Sequence, residues 1–283
     1  MKKTLFSLLL LASAVAYGQE LPAASPAASF KQRVGLTDVE VSYARPSMRG
    51  RKIFGGLVPY DALWRTGANQ STLITFSTSV VFCGVSLPAG KYSLMTIPSA
   101  KNWTIILNQS TDLWGIEGYS ESNDVARIPV VPNRMDSSVE TMTLEMGEIT
   151  LDKAVLTMKW ENTQVSMPLE VSTHEHAMNN IEKAIDEKPE DARVYRNAAS
   201  YLNSVGKDNE LALGFAERSV QLSPENWYSH YLYAQLLRKN GKEKEAVVAA
   251  ELALKLGKED SGKKDQPFSY EDNIKAFLKE KKN

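Results

Sequence analysis

Residues 43–69 read Tyr-Ala-Arg-Pro-Ser-Met-Arg-Gly-Arg-Lys-Ile-Phe-Gly-Gly-Leu-Val-Pro-Tyr-Asp-Ala-Leu-Trp-Arg-Thr-Gly-Ala-Asn. Five basic residues (Arg45, Arg49, Arg51, Lys52 and Arg65) stand against one acid, Asp61, and four glycines and two prolines break up the run. Neither a strand period nor a helix period survives that punctuation. A connection this long inside a compact domain is usually functional or disordered. Ile53, Phe54, Leu57, Val58, Leu63 and Trp64 are apolar anchors, which argues for order. Pro46 holds Arg45 extended, and Gly50, Gly55, Gly56 and Gly67 allow tight bends or close approach. The stretch reads as a long pinned loop with arginines projecting from it.

The residues around it carry a β pattern. Val39–Tyr43, Leu73–Phe76, Tyr92–Ile97, Trp103–Leu107, Val139–Met146, Val155–Trp160 and Val165–Val171 alternate apolar and polar. Pro88-Ala89-Gly90, Pro98-Ser99, Gly84 and Gly147 mark turns, and Glu161-Asn162-Thr163 reads as the turn of a hairpin. No helical period separates the strands, so residues 26–172 are expected to form an antiparallel β-sandwich or barrel-like domain. Cys83, the single cysteine, sits in an apolar Val-Val-Phe-Cys-Gly run and reads as a packed core thiol.

Several motifs in this region carry a family resemblance. They are Tyr43-x-Arg45-Pro46, Arg49-Gly50-Arg51, Phe54-Gly55, Val58-Pro59-Tyr60 and Trp64-Arg65-Thr66-Gly67-Ala68-Asn69. Further ones are Ala89-Gly90-x-Tyr92-Ser93-Leu94, Ile97-Pro98 and Trp103-x-x-Ile106-x-Asn108. Together they resemble domain-of-unknown-function family 2911, a family of exported Bacteroidetes-type proteins. The resemblance covers residues 25–150 or so and implies a domain identity and export. It brings no established reaction, cofactor or catalytic residue.

After residue 172 the period changes. Ser172-Thr173-His174-Glu175 resembles a capping box, and a repeat of 35 residues follows: Ala199 and Ala234, Gly206 and Gly241, Pro189 and Pro224 are each that far apart. Residues 173–283 therefore resemble tetratricopeptide repeats, an α-helical array. Ser223-Pro224 reads as a helix start, 257–267 as a charged loop, and 273–282 as a terminal helix covering the last repeat. The aromatic residues Tyr195, Tyr201, Trp227, Tyr228, Tyr231 and Tyr233 are expected to be mostly core. Those left exposed would line a groove for a protein or peptide partner.

Residues 1–18 have the parts of a signal peptide: Lys2 and Lys3, an apolar core from Leu5 to Ala16, and Ala16-Tyr17-Gly18 at the cleavage position. Cleavage would leave Gln19 first, followed by an extended lead-in over 19–25. No cysteine follows the apolar run to carry a lipid, and no transmembrane anchor is expected. Export to the periplasm or beyond follows. A net charge of −1, with 43% hydrophobic and 24% charged residues, describes a globular chain without a nucleic-acid-binding field.

The functional expectation is a non-catalytic binding or scaffold protein of the cell envelope. Arg45, Arg49, Arg51 and Arg65 could converge on a small anionic or glycan ligand, with Tyr60 and Trp64 as stacking faces and Asn69 as a directional amide. The competing structural reading has the arginines tying the loop to backbone carbonyls. The alternative function is an envelope hydrolase acting on carbohydrate, with Glu117, Glu121 and Asp124 as the available carboxylates. No nucleophile elbow, metal-ligand spacing or cofactor motif occurs, so no catalytic residue, cofactor or metal is assigned.

Overall fold

A computed structural model describes residues 21–280, and the signal-peptide expectation for residues 1–18 lies outside them. The chain divides between Thr173 and His174 into a β unit and a helical unit. Among the described residues, no helix is long and apolar enough to cross a membrane.

The β unit holds β1 (Ala27–Val34), β2 (Thr37–Ala44), β3 (Thr72–Phe76), β4 (Val80–Phe82), β5 (Val85–Leu87), β6 (Gly90–Ile97), β7 (Trp103–Asn108), β8 (Asp124–Val130), β9 (Asn133–Gly147) and β10 (Lys153–Val171). Two antiparallel sheets result, ordered β1-β2-β3-β6-β7-β8 and β5-β4-β10-β9. Alternation decides the faces. In β2 the side chains of Val39, Val41 and Tyr43 are buried while Glu40 and Ser42 face out. Val41, Ile74, Leu94 and Ile105 from the larger sheet share one core with Phe82, Met142, Leu156 and Met158 from the smaller. Each such side chain contributes about 1.5–3 kcal/mol by leaving water. Tyr43 fastens the sheets together: its hydroxyl accepts from the Leu144 amide at 2.9 Å and donates to the Leu144 carbonyl at 3.4 Å.

One expectation is corrected here. Residues 153–171 form a single long strand, not a hairpin. The Glu161-Asn162-Thr163 triplet is a bulge, with register shifts on both sides of Glu161 and φ of 52° at that residue. The kink turns the Glu161 carboxylate toward the amides of Ile53 and Phe54, each 3.4 Å away.

The 43–69 segment leaves β2 and runs along β9, where Met48 N–H donates to the Glu140 carbonyl and Met142 N–H to the Pro46 carbonyl, both at 2.9 Å. It then crosses to β6, pairing Trp64 with Thr96 in both directions at 2.8 and 2.9 Å. Between those anchorages it inserts Phe54 and Trp64 against Trp103 of β7 and Trp160 of β10, with centroid separations from 4.8 to 6.4 Å. The loop is thus a plug whose apolar anchors complete the core between the sheets.

The helical unit contains α1 (Thr173–Glu187), α2 (Ala192–Val205), α3 (Asn209–Leu222), α4 (Trp227–Lys239), α5 (Glu243–Lys263) and α6 (Glu271–Lys279). The α2–α3 and α4–α5 pairs repeat one helix–turn–helix plan. Gly206 and Gly241 occupy the equivalent turns at φ of 66° and 77°, a conformation that favours glycine. Ala199, Ala212 and Ala216 in the first pair, and Ala234, Ala246, Ala250 and Ala253 in the second, are fully buried, so the helices approach closely. Ile274 and Phe277 of α6 cover the last repeat, as expected. Arg238 locks that cover: its guanidinium lies 3.5 Å from the centre of the Phe277 ring, donates to the Phe277 carbonyl at 2.7 Å and grips Glu243.

Two local expectations in this unit are corrected. The α4 helix begins after Asn226, whose side chain accepts from the Ser229 amide, and Ser223 instead closes α3. Finally, α5 runs through Gly257 to Lys263. That glycine is there for packing: a Cβ on it would lie 2.1 Å from the Phe268 ring.

Candidate functional site

The four arginines of the loop bind backbone oxygens. Arg45 donates from Nε to the Met142 carbonyl at 3.0 Å and from Nη2 to Thr143 Oγ1 at 3.1 Å. Arg49 Nη2 donates to the Ala24 carbonyl at 2.8 Å. Arg51 closes its own turn, with Nε on the Met48 carbonyl at 2.9 Å and Nη2 on the Ser47 carbonyl at 2.7 Å. Arg65 Nη1 reaches the Asn69 carbonyl at 2.9 Å and its guanidinium packs under Gly115, where a Cβ would be 3.1 Å away. Arg49, Asp61, Thr66 and Asn69 all carry φ near 50–59°, a sparsely populated region for residues with a side chain. These hydrogen bonds hold the loop in that conformation.

The candidate residues are brought together only in part. Arg51, Trp64, Arg65 and Asn69 line one cleft of about 470 Å³, with Leu57 and Ile116 on its rim. Trp64 contributes there from the core, stacked on Trp160, with its indole N–H donating to the Gly67 carbonyl at 3.1 Å. Arg45 is directed to β9 instead. Tyr60 lines a second cleft of about 480 Å³, beside Lys52, Arg134 and Glu161.

The carboxylates considered for hydrolysis lie on the 109–124 segment. Asp124 is nearly buried and accepts from Asn108 Nδ2, Tyr119 Oη and Arg127 Nη1, each at 2.7 Å. Burial, then the Asp124 carboxylate, pushes the Tyr119 hydroxyl up to about 12. Glu121 lies 3.6 Å from the same Arg127. This network fixes the segment to β7 and β8. Cys83 sits at the turn between β4 and β5 with φ of 49°, and burial pushes its thiol up to about 12. Among the described residues no group of three or more His, Cys, Asp or Glu side chains is placed to hold a metal ion.

A polar recess in the helical unit was only partly legible in the sequence. Arg196, Asn197 and Ser200 of α2 face Tyr228 of α4 across a recess of about 680 Å³, closed at one end by Asp260 of α5 and Lys264 just after that helix. Asn203 Nδ2 donates to Gln235 Oε1 at 3.3 Å and joins the two helices along this face. Tyr195 and Tyr231 are buried, whereas Tyr201, Trp227, Tyr228 and Tyr233 keep part of their surface. Trp227 packs edge-on to Phe268 at 4.9 Å, and Tyr270 lies 5.1 Å from it.

Comparison with known proteins adds the following. Residues 25–169 match the family described as "Protein of unknown function (DUF2911)". No curated protein matches the chain. Among solved structures, YrrB, described as a TPR protein with an unusual peptide-binding site, is 34% identical over 27% of this chain and 39% of its own, with a TM-score of 0.25. The Naa15/Naa10 complex bound to HypK-THB is 25% identical over 30% of this chain and 12% of its own, with a TM-score of 0.26. This chain therefore spans well under half the length of either. Overlaps with scores this low carry no argument, and the reading of the helical unit rests on its own helix pairs.

Proposed function

The chain belongs to the DUF2911 family, and from that premise we propose that it is an exported, non-catalytic binding protein of the cell envelope. Its helical unit takes an extended segment of a protein partner along the face shared by α2 and α4. One observation carries this reading. The recess at that face combines a cation, amides and hydroxyls (Arg196, Asn197, Ser200) with the partly exposed ring of Tyr228. Such a surface suits a peptide backbone and one apolar side chain. The aromatic residues behind it are packed, so the face is preorganised. Export rests on Lys2, Lys3 and the apolar run to Ala16.

The test is selection of random peptides on the full chain, followed by titration of the best binder. Arg196→Ala and Tyr228→Ala should each weaken it by about tenfold, the worth of one good contact. Arg51→Ala should leave it unchanged. Absence of any selected sequence, or indifference to both groove substitutions, contradicts the reading.

A second reading concerns the cleft at Arg51 and Arg65. Each guanidinium carries five N–H donors, and the carbonyl bonds described above occupy only some of them. A small anionic group could be held between the two, against the apolar rim of Leu57 and Ile116. Titration with inorganic phosphate and with a short carboxylate-bearing oligosaccharide tests it, with Arg51→Gln as the variant that should abolish binding.

A further inference from the structure

Trp114 is the most exposed large aromatic ring among the described residues, at 61%. Single exposed apolar residues are ordinary on protein surfaces. The way this one is held is not. The 109–123 segment that presents it crosses the outer face of the larger sheet, burying Leu113 on Met95 and Ile106, with Tyr119 alongside. Polar contacts then fix both ends. Asn123 Nδ2 donates to Ser110 Oγ at 3.0 Å, Ser93 Oγ donates to the Ser110 carbonyl at 2.6 Å, and Asp124 gathers Asn108, Tyr119 and Arg127. The backbone beside the indole is anchored as well, through the Gln70–Trp114 bridge and a 2.9 Å bond from Gly115 N–H to the Asn69 carbonyl. Nothing in the packing of the segment requires an indole at this position.

The cover over the sheet ends at Trp114 and leaves a step. Beyond it, the outer face of β1, β2 and β3 is floored by a cross-strand row of Ser29, Ser42 and Leu73, residues paired in register. Asn69 and Gln70 form the side of the step. The resulting cleft has a volume of about 500 Å³, within the range of small-molecule sites. None of its lining side chains is charged at neutral pH. It offers two amides, two hydroxyls from Ser29 and Ser42, small residues that let a ligand lie close, and one flat aromatic wall.

We propose that this cleft binds a neutral saccharide. A pyranose ring has an apolar C–H face and a polar edge, and the cleft has one surface for each. The C–H face lies against the Trp114 indole. The ring hydroxyls meet the side chains of Asn69, Gln70, Ser29 and Ser42, which both donate and accept. An anion finds no counter-charge here, and a purely apolar ligand would leave the amides and hydroxyls unsatisfied. The site is separate from the helical recess; it shares Asn69 with the Arg51–Arg65 cleft, but Trp114 lines only this one, so the Trp114 variants test it independently of both.

The experiment is isothermal titration of the full chain with neutral gluco-, manno-, xylo- and N-acetylglucosamine oligomers, alongside a hexuronate oligomer as the charged comparison. At least one neutral oligomer should bind. Trp114→Ala should weaken it by about tenfold or more, as loss of a stacking platform does. Trp114→Phe should retain most of the affinity, and Gln70→Ala should lose about threefold. Since the indole is largely exposed, both Trp114 variants should melt with the wild type. The proposal is overturned if no neutral oligomer binds at millimolar concentration, if only the hexuronate binds, or if Trp114→Ala binds as the wild type does. Sedimentation showing a wild-type dimer that Trp114→Ala dissociates would also overturn it, by assigning the indole to a second copy.

Discussion

Trp64 stacks on Trp160 with ring centroids 5.9 Å apart and ring planes inclined by 21°. One ring comes from the irregular loop and the other from the middle of the longest strand, so the loop that marks the family is also a structural part of the sandwich core. Phe54 and Trp103 complete the cluster, meeting at 4.8 Å. Function on this loop must therefore be compatible with a fixed, not a mobile, backbone.

Truncating Trp160 removes a side chain that is almost wholly buried. Trp160→Ala should cost about 3–5 kcal/mol in unfolding free energy. Urea denaturation followed by circular dichroism measures it, and a loss below 1 kcal/mol, roughly a surface effect, would contradict the packing described.

Arg45 serves β9 by donating to acceptors on two adjacent residues, the Met142 carbonyl and Thr143 Oγ1. Arg45→Ala leaves a half-buried carbonyl without its partner and should cost about 1–3 kcal/mol. Arg45→Lys should not restore the loss, since an ammonium cannot reproduce the fork. Full recovery of the melting temperature in the lysine variant would show that charge alone matters there.

Cys83 should behave as a packed thiol. With its titration pushed up to about 12, little thiolate exists at neutral pH. Ellman's reagent at pH near 8 should react slowly with the native chain and quickly in denaturant. A fast native reaction would place Cys83 among reactive thiols instead.

Tyr119 gives a pH signature with a definite sign. Its hydroxyl is raised to about 12 by burial and by Asp124. The neutral form is thus favoured in the folded state. Its stabilising contribution is complete below the ordinary tyrosine range, near 10, and is lost as pH rises through about 12. Chemical denaturation from neutral to strongly alkaline pH should show a shallower alkaline decline for Tyr119→Phe than for the wild type. Identical slopes would remove Tyr119 from the account.

The plug and the two architectures were legible because their signals are local. Glycines and prolines break the period between Tyr43 and Asn69, alternation marks the strands, and small residues recur every 35 positions in the helices. What the sequence hid is of two kinds. Polar triplets such as Glu161-Asn162-Thr163 look the same whether they turn a hairpin or bulge a strand, and only pairing with β9 decides. The destinations of the arginines are backbone carbonyls, one of them 97 residues away, and a carbonyl leaves no mark in a sequence. The same holds for Trp114, whose exposure depends on where the 109–123 cover ends. Its only local sign is an indole within a polar, glycine-containing stretch.

The claim that the helical unit is the partner-binding part is tested most directly by hydrogen–deuterium exchange. The full chain would be measured alone and saturated with a peptide selected on it. The account predicts added protection in Ala192–Val205 and Trp227–Lys239, the helices that line the recess. Protection confined to residues 21–173, or none in these two helices, would contradict it.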